Sequence, residues 1–418
     1  MTSFELSVRF FLALAAILAT CRVASLLGPL LGQPAVVMEM IAGVLLGPSV
    51  LGWLWPDAKN YLFPPEMVQF VGVIAQLGLA LYMFCVGMEF RTGVFAANRR
   101  QGIFVSVAGA AVPFLLAVMA VTTLHSQPGL FQPEVTRWHA ALFTAAALSI
   151  TAFPMLARII RENGLTGTSM GTVALAAGAL DDVLAWCFLS IVIASLKSDW
   201  AIAAITIGAG GAFAFVTLTV IRPAMRVVAS PVLAGKPLTQ GWLSGVLVLL
   251  AVACYLTDII GIYAIFGAFM LGISMPRGGF AEKLVERIEP LTVSLLLPMF
   301  FVFSGLNTSI GLLDSASAIG TTLLLLVAAC IGKGVGCSLA AKLTGSSTRD
   351  ALCIGSLMNA RGLMELIVLN IALDHNIITP KFFSIMVVVA IITTAMATPL
   401  FRLFRPAPSK LETTPAMT

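Results

Sequence analysis

Residues 168–196 read TSMGTVALAAGALDDVLAWCFLSIVIASL, an unbroken apolar run whose only charges, Asp181 and Asp182, sit at its middle. A run of this length crosses roughly 30 Å of hydrocarbon as a single helix, and a charged carboxylate at its centre costs roughly 2.5–3.5 kcal/mol on insertion scales. An adjacent pair must therefore be compensated or partly protonated. An acid that switches between charged and neutral at membrane depth is a proton carrier.

The rest of the chain has the same character. Of 418 residues, 59% are hydrophobic and only 10% charged, and the mean hydropathy is +1.01. Soluble domains carry roughly 25% charged residues, so the solvent of this chain is lipid. The net charge of +5 does not indicate nucleic acid, because the basic residues lie between long apolar runs and form no stripe. All seven cysteines fall inside apolar stretches without metal-ligand spacing, and they read as small packing residues.

Cutting the apolar runs at Gly, Pro and charge clusters predicts an all-α membrane protein of about 13 spans, at 7–27, 33–51, 66–89, 103–124, 138–161, 168–196, 200–227, 240–258, 262–275, 288–308, 316–343, 350–373 and 381–403. An odd count puts the termini on opposite faces. Sixteen of the 24 basic residues, from Arg91 to Lys410, fall in the loops of one face. Five, namely Arg9, Lys59, Arg137, Lys197 and Lys381, fall on the other, and Arg22, Lys333 and Arg361 lie within spans. The positive-inside rule then places the N-terminus outside and the C-terminus in the cytoplasm. The fifteen residues 404–418 after span 13 form a short tail, too few for a nucleotide-binding domain.

The chain also repeats itself. Gly43-Val-Leu-Leu-Gly47-Pro-Ser49 in span 2 is answered by Ala268-Phe-Met-Leu-Gly272-Ile-Ser274 in span 9, and the segment from Met83 in span 3 by the one from Met299 in span 10. These are corresponding members of two six-helix sets, spans 1–6 and 8–13. With span 7 as linker the second set must enter the membrane upside down, which makes an inverted repeat. The fifth span of each set is interrupted, by Ser149-Ile-Thr151-Ala-Phe-Pro154 in one and by Asn359-Ala-Arg361-Gly362 in the other. Proline removes a helical donor, and paired interruptions point to an ion site where half-helix ends present their dipoles.

Lys333 falls near the middle of span 11, and Arg361 and Glu365 stand one helical turn apart in span 12. Two readings stay open for each pair. Arg361 with Glu365 is either a self-satisfied structural pair at i, i+4 or a contact to the substrate, and Asp181 with Lys333 is either a structural salt bridge or part of transport. Asp182, without an obvious second cation, reads as functional. Glu39 and Glu89 are expected near wetted helix ends, and Asp258 at the outer end of span 8 as its cap.

These motifs resemble the monovalent cation:proton antiporter-2 family, through Glu39-Met-Ile-Ala-Gly-Val-Leu-Leu-Gly-Pro-Ser49, Ser149 to Arg158, Leu180-Asp-Asp-Val183, Phe300-Phe-Val-Phe-Ser-Gly305 and Asn359 to Glu365. The resemblance implies a multi-pass protein of a bacterial inner membrane. It implies a homodimer in which a scaffold (about 7–89 and 240–308) carries an elevator-like core (about 103–196 and 316–403), with 200–227 as linker, in one transmembrane domain over 1–403. It implies that Asp182 binds the monovalent cation and the proton in competition, that Asp181 pairs with Lys333 in one state, and that Thr151 offers an oxygen ligand. The implied activity is exchange of Na+ or K+ for protons, electrogenic if Lys333 also takes part; no cofactor is implied. The chain departs from potassium-efflux relatives, which carry Gln-Asp where it has Asp181-Asp182, and from sodium antiporters that place an aspartate where it has Ala152.

Three other functions compete. An intramembrane aspartyl protease needs carboxylates facing each other from different helices, whereas adjacent residues on one helix diverge by roughly 100°. A passive cation channel lacks a filter sequence here, and an organic-anion symporter calls for a more polar core.

Overall fold

A computed structural model describes residues 3–89, 99–165, 168–196 and 200–405. Among them the chain is almost wholly helical, and nine helices have the length and apolarity to cross a membrane. The loop that contains Arg91 and the tail beyond Arg405 lie outside the described residues.

The first spans are α1 (Ser3–Leu27), α2 (Ala35–Leu46), α3 (Pro65–Glu89) and α4 (Arg99–Leu124). Span 2 covers Ala35–Leu54, but its helix is broken, with a further turn at Leu51–Leu54. Gly47 takes an extended conformation and ends α2 before the predicted boundary at 51. The fifth span is two half-helices, α5 (Arg137–Ser149) and α6 (Phe153–Glu162), and α7 (Ser169–Leu196) carries the aspartates. Next comes α8 (Trp200–Val216), which runs on through a π-helical stretch, Thr217–Ile221, into a further short helix.

The second half contains α9 (Gln240–Ile260), the short α10 (Ala264–Ser274), α11 (Gly279–Leu291) and α12 (Leu297–Leu306), the last two joined through a π-helical turn at Thr292–Leu296. Span 10 thus starts about nine residues ahead of its predicted boundary at 288. The amphipathic segment Gly279 to Leu291, rich in charge, obscured that start. Then follow α13 (Ala316–Leu343), the half-helices α14 (Thr348–Met358) and α15 (Leu363–Asp374), and α16 (Pro380–Phe404). Asp258 does not cap its own helix: its Oδ1 accepts from Ala264 N at 2.6 Å, the first residue of α10.

Small residues set the helix contacts, as they must where lipid is as apolar as leucine and close backbone approach supplies the attraction. A Cβ on Gly47 would lie 2.3 Å from the Gly305 carbonyl oxygen, and one on Gly272 would lie 2.9 Å from the Gly87 Cα. Thus α2 packs on α12 while α10 packs on α3. In the other half α13 lies along α4: a Cβ at Gly332 would meet Pro113 at 2.8 Å, and one at Gly109 would meet Cys337 Sγ at 2.5 Å. This seam aligns Ser106 and Lys333 toward α7.

Candidate functional site

The site is built where the two interrupted spans meet. In the first, α5 ends at Ser149, whose single hydroxyl proton is shared between Ala145 O at 2.7 Å and Ala110 O at 2.9 Å, and Ile150 is extended. The helix resumes at Phe153. Pro154 is the second residue of α6, where a missing N–H costs no helical bond; its side chain lies outside the described ones. In the second, Asn359 follows α14 and Gly362 has φ +134°, a conformation essentially restricted to glycine, which stops the chain from continuing as a helix until Leu363.

The two breaks are hydrogen-bonded to each other. Ala152 N donates to Ala360 O at 3.1 Å, and the Thr151 hydroxyl donates to Met358 O at 2.9 Å. Thr151 spends its proton on that bond and keeps lone pairs for another partner. Both half-helix ends of the first break are matched by charge. The C-terminal carbonyls of α5 at Ala147 and Leu148 accept from Arg361 Nη1 and Nη2 at 3.2 and 2.6 Å. The N-terminus of α6 presents Phe153 N to Asp182 Oδ1 at 3.4 Å. A cation at a carbonyl end and an anion at an amide end are the signs that the helix dipole favours.

Arg361 therefore differs from its expected setting. It lies in the break and not one turn below Glu365 in a common helix, and Thr394 Oγ1 accepts its backbone N–H at 3.1 Å. The ion pair with Glu365 forms nonetheless, at 3.5 Å, with both side chains fully buried. The i, i+4 spacing suggested the pair, but the turn at Gly362 removes the helix it presumed.

Asp181 and Asp182 point to different partners, as neighbours on one helix must. Asp181 Oδ2 accepts from Lys333 Nζ at 2.5 Å and its Oδ1 accepts from the Ser106 hydroxyl at 2.5 Å. Ser106 was not singled out by sequence; a lone serine in an apolar span carries no signal of its own. Asp182 is 2% exposed and its Oδ2 has no hydrogen-bond partner. Glu39, expected at a wetted helix end, is instead buried, with Ser25 Oγ 3.5 Å from its Oε1. The described residues include no cluster of three or more His, Cys, Asp or Glu side chains able to hold a metal. The arrangement sets one carboxylate with an unpartnered oxygen beside a second that is paired with a lysine.

Known proteins share this chain's sequence and fold. The family model described as "Sodium/hydrogen exchanger, transmembrane" matches residues 13–404. The Na(+)/H(+) antiporter NhaS4 of Synechocystis is 36% identical over 405 residues, covering 95% of this chain and 98% of that one. Cation/H(+) antiporter 17 of Arabidopsis thaliana is 36% identical over 394 residues, and the chain spans 47% of that longer protein, about half its length. The sodium proton antiporter MjNhaP1 of Methanocaldococcus jannaschii shares the fold, with a TM-score of 0.57 at 15% identity over 95% of this chain and 96% of that one. The chain is a multi-pass integral membrane protein and belongs to the transmembrane sodium/hydrogen exchanger family.

Proposed function

We propose that this protein exchanges a monovalent cation, Na+ or K+, for protons across the membrane, and that Asp182 is the group that carries each in turn. The observation behind the proposal is the buried Asp182 carboxylate, held through one oxygen by the N-terminus of α6 and unpartnered at the other. Ionised, it attracts a cation. Protonated, it is neutral and releases it, so the core can move back across the membrane without leaving a bare charge in hydrocarbon. Thr151 supplies a neutral oxygen at the same break, and Arg361 and Glu365 hold the crossing together as charge partners. Names of the relatives support the exchange: sodium and proton for the Synechocystis protein, cation and proton for the Arabidopsis one.

The architecture in this reading is thirteen spans in two inverted six-helix repeats. The reciprocal packing of α2 on α12 and α10 on α3 supports it, because exchange of equivalent contacts is what a two-fold relation produces. Residues about 7–89 and 240–308 act as scaffold, about 103–196 and 316–403 as elevator core and 200–227 as linker, within a homodimer. The N-terminus lies outside and the C-terminus in the cytoplasm of a bacterial inner membrane, as the bias of basic loops indicates.

The test is exchange in liposomes. Asp182→Asn keeps the shape of the side chain and removes its titration, so cation-driven proton movement is expected to vanish while the protein stays folded. Substantial exchange by that variant would refute the assignment.

A further inference from the structure

Asn359 ends the first half of the second interrupted span and is 4% exposed. Its Nδ2 donates to Gly355 O at 3.1 Å. A carbonyl can only accept, so that bond fixes which amide atom faces α14 and which faces away. The atom facing away, Oδ1, is buried and has no hydrogen-bond partner. A buried oxygen left without a donor is costly, and where a folded protein keeps one it calls for an explanation by an ion or another partner.

The residues on either side of Asn359 are already committed to the opposite break: Met358 O to the Thr151 hydroxyl and Ala360 O to Ala152 N. One residue further along that break, Phe153 N reaches Asp182, whose second oxygen is also buried and unpartnered. The same Nδ2 also lies over Gly334, where a Cβ would come within 3.1 Å of it, and Gly334 follows Lys333, the partner of Asp181. An amide oxygen of Asn359 and a carboxylate oxygen of Asp182 thus stand unsatisfied beside the same pair of breaks, and the Glu365 oxygens, also without a hydrogen-bond partner, face Arg361 as an ion pair. Hard cations are held by sets of oxygens in which neutral carbonyls complement a carboxylate.

Resting on the exchange proposed above, we infer that Asn359 Oδ1 is a direct ligand of the transported monovalent cation, which it shares with Asp182. The two ligands have separate duties. Asp182 takes either a proton or a cation, whereas an amide does not titrate and contributes to cation binding alone. Loss of the amide oxygen should weaken cation binding by about tenfold or more, the equivalent of one charge-assisted contact.

The experiment is thermal melting of the full-length protein in detergent, titrated with NaCl, KCl or LiCl against choline chloride at constant ionic strength. For the wild type, the melting temperature is expected to rise with the transported cation. Asn359→Ala should show the same rise with its midpoint shifted at least tenfold upward, and Asp182→Asn should show none. A wild-type midpoint in Asn359→Ala, with the response lost in Asp182→Asn, overturns the ligand role and leaves the exchange reading standing. A response retained in Asp182→Asn overturns the exchange reading and this inference with it. If Asn359→Ala does not fold, Asn359→Asp, of nearly the same shape, replaces it: a carboxylate at a ligand position should lower the midpoint, and an unchanged one overturns the role.

Discussion

Lys333 Nζ donates to Asp181 Oδ2 at 2.5 Å, and both side chains are wholly excluded from solvent. The pair joins α13 to α7 across the seam with α4, where Ser106 takes the other Asp181 oxygen. Removing one partner of such a pair leaves an uncompensated buried charge, at a cost of about 3–5 kcal/mol, whereas removing both can be close to neutral. Lys333→Gln alone should therefore lower the melting temperature markedly, and Lys333→Gln with Asp181→Asn should recover most of the loss. Melting the two variants side by side checks this. A double variant no more stable than the single would mean that the pair is not what holds this seam.

Arg361 offers a second test. Its planar fork reaches the Ala147 and Leu148 carbonyls at once, a geometry that a lysine ammonium on a flexible stem cannot reproduce. Arg361→Lys should lose one charge-assisted bond, about 1.5–3 kcal/mol, and unsettle the end of α5. Lower thermal stability with reduced exchange in liposomes is the expected result. Wild-type melting in Arg361→Lys would show that one bond suffices.

The glycine contacts lead to a third. A Cβ on Gly305 would lie 2.0 Å from the Gly43 carbonyl carbon and 2.2 Å from its oxygen, with backbone that cannot swing aside. Gly305→Ala is expected to force α2 and α12 apart at the upper end of the about 1–3 kcal/mol typical of overpacking. Gly320→Ala, where nothing lies within 4 Å, serves as the control and should be neutral or slightly stabilising. Equal yields of monodisperse protein from both would contradict the contact.

How much of this could be read in advance depended on whether the cause was local. The helix from Ala316 to Leu343 matches its predicted bounds, because Ser315 caps its start through Ala318 N and Gly345 with φ +108° lies just past its end. Both interruptions were legible, since Pro154 and Gly362 break helices by their own chemistry. The partners of the broken ends were not: Arg361 reaches carbonyls 213 and 214 residues away, and no spacing rule connects them. The same holds for Ser106 on Asp181, 75 residues apart. For Asp258 the spacing to its own helix end misled, because the carboxylate turns across the loop to the next helix.

Competition between cation and proton is the fourth prediction. If Asp182 serves both, acid converts the ligand to its neutral form, so the apparent Michaelis constant for the cation must rise as pH falls through the site's titration and level off above it. Each pH unit below that point should weaken the apparent affinity about tenfold for every proton that cation binding displaces. Exchange rates across a grid of pH and cation concentration measure this. An affinity constant over several pH units would require separate sites.

The last prediction concerns net charge, and it turns on whether Lys333 leaves Asp181 during the cycle. In the arrangement described, Lys333 balances Asp181 and Arg361 balances Glu365, and on the proposed function Asp182 then alternates between one cation and one proton. If the Lys333 pair stays closed throughout, exchange is one for one and blind to voltage. A lysine at membrane depth can give up its proton, which an arginine cannot, and cation binding near Asp181 and Asp182 would displace the ammonium and favour that loss. Two protons then return for each cation carried out, and one net charge crosses per cycle. A potential of 100 mV biases such a cycle by roughly 2.3 kcal/mol, about a fiftyfold change in the equilibrium gradient. We expect the electrogenic result. The measurement is the voltage at which proton flux reverses in liposomes under fixed ion gradients, for the wild type and for Lys333→Arg. Reversal should follow a two-for-one ratio in the wild type, and the arginine variant, unable to release its proton, should either stop or fall to one for one. A wild-type reversal point that imposed voltage does not move would confine Lys333 to holding Asp181 in place.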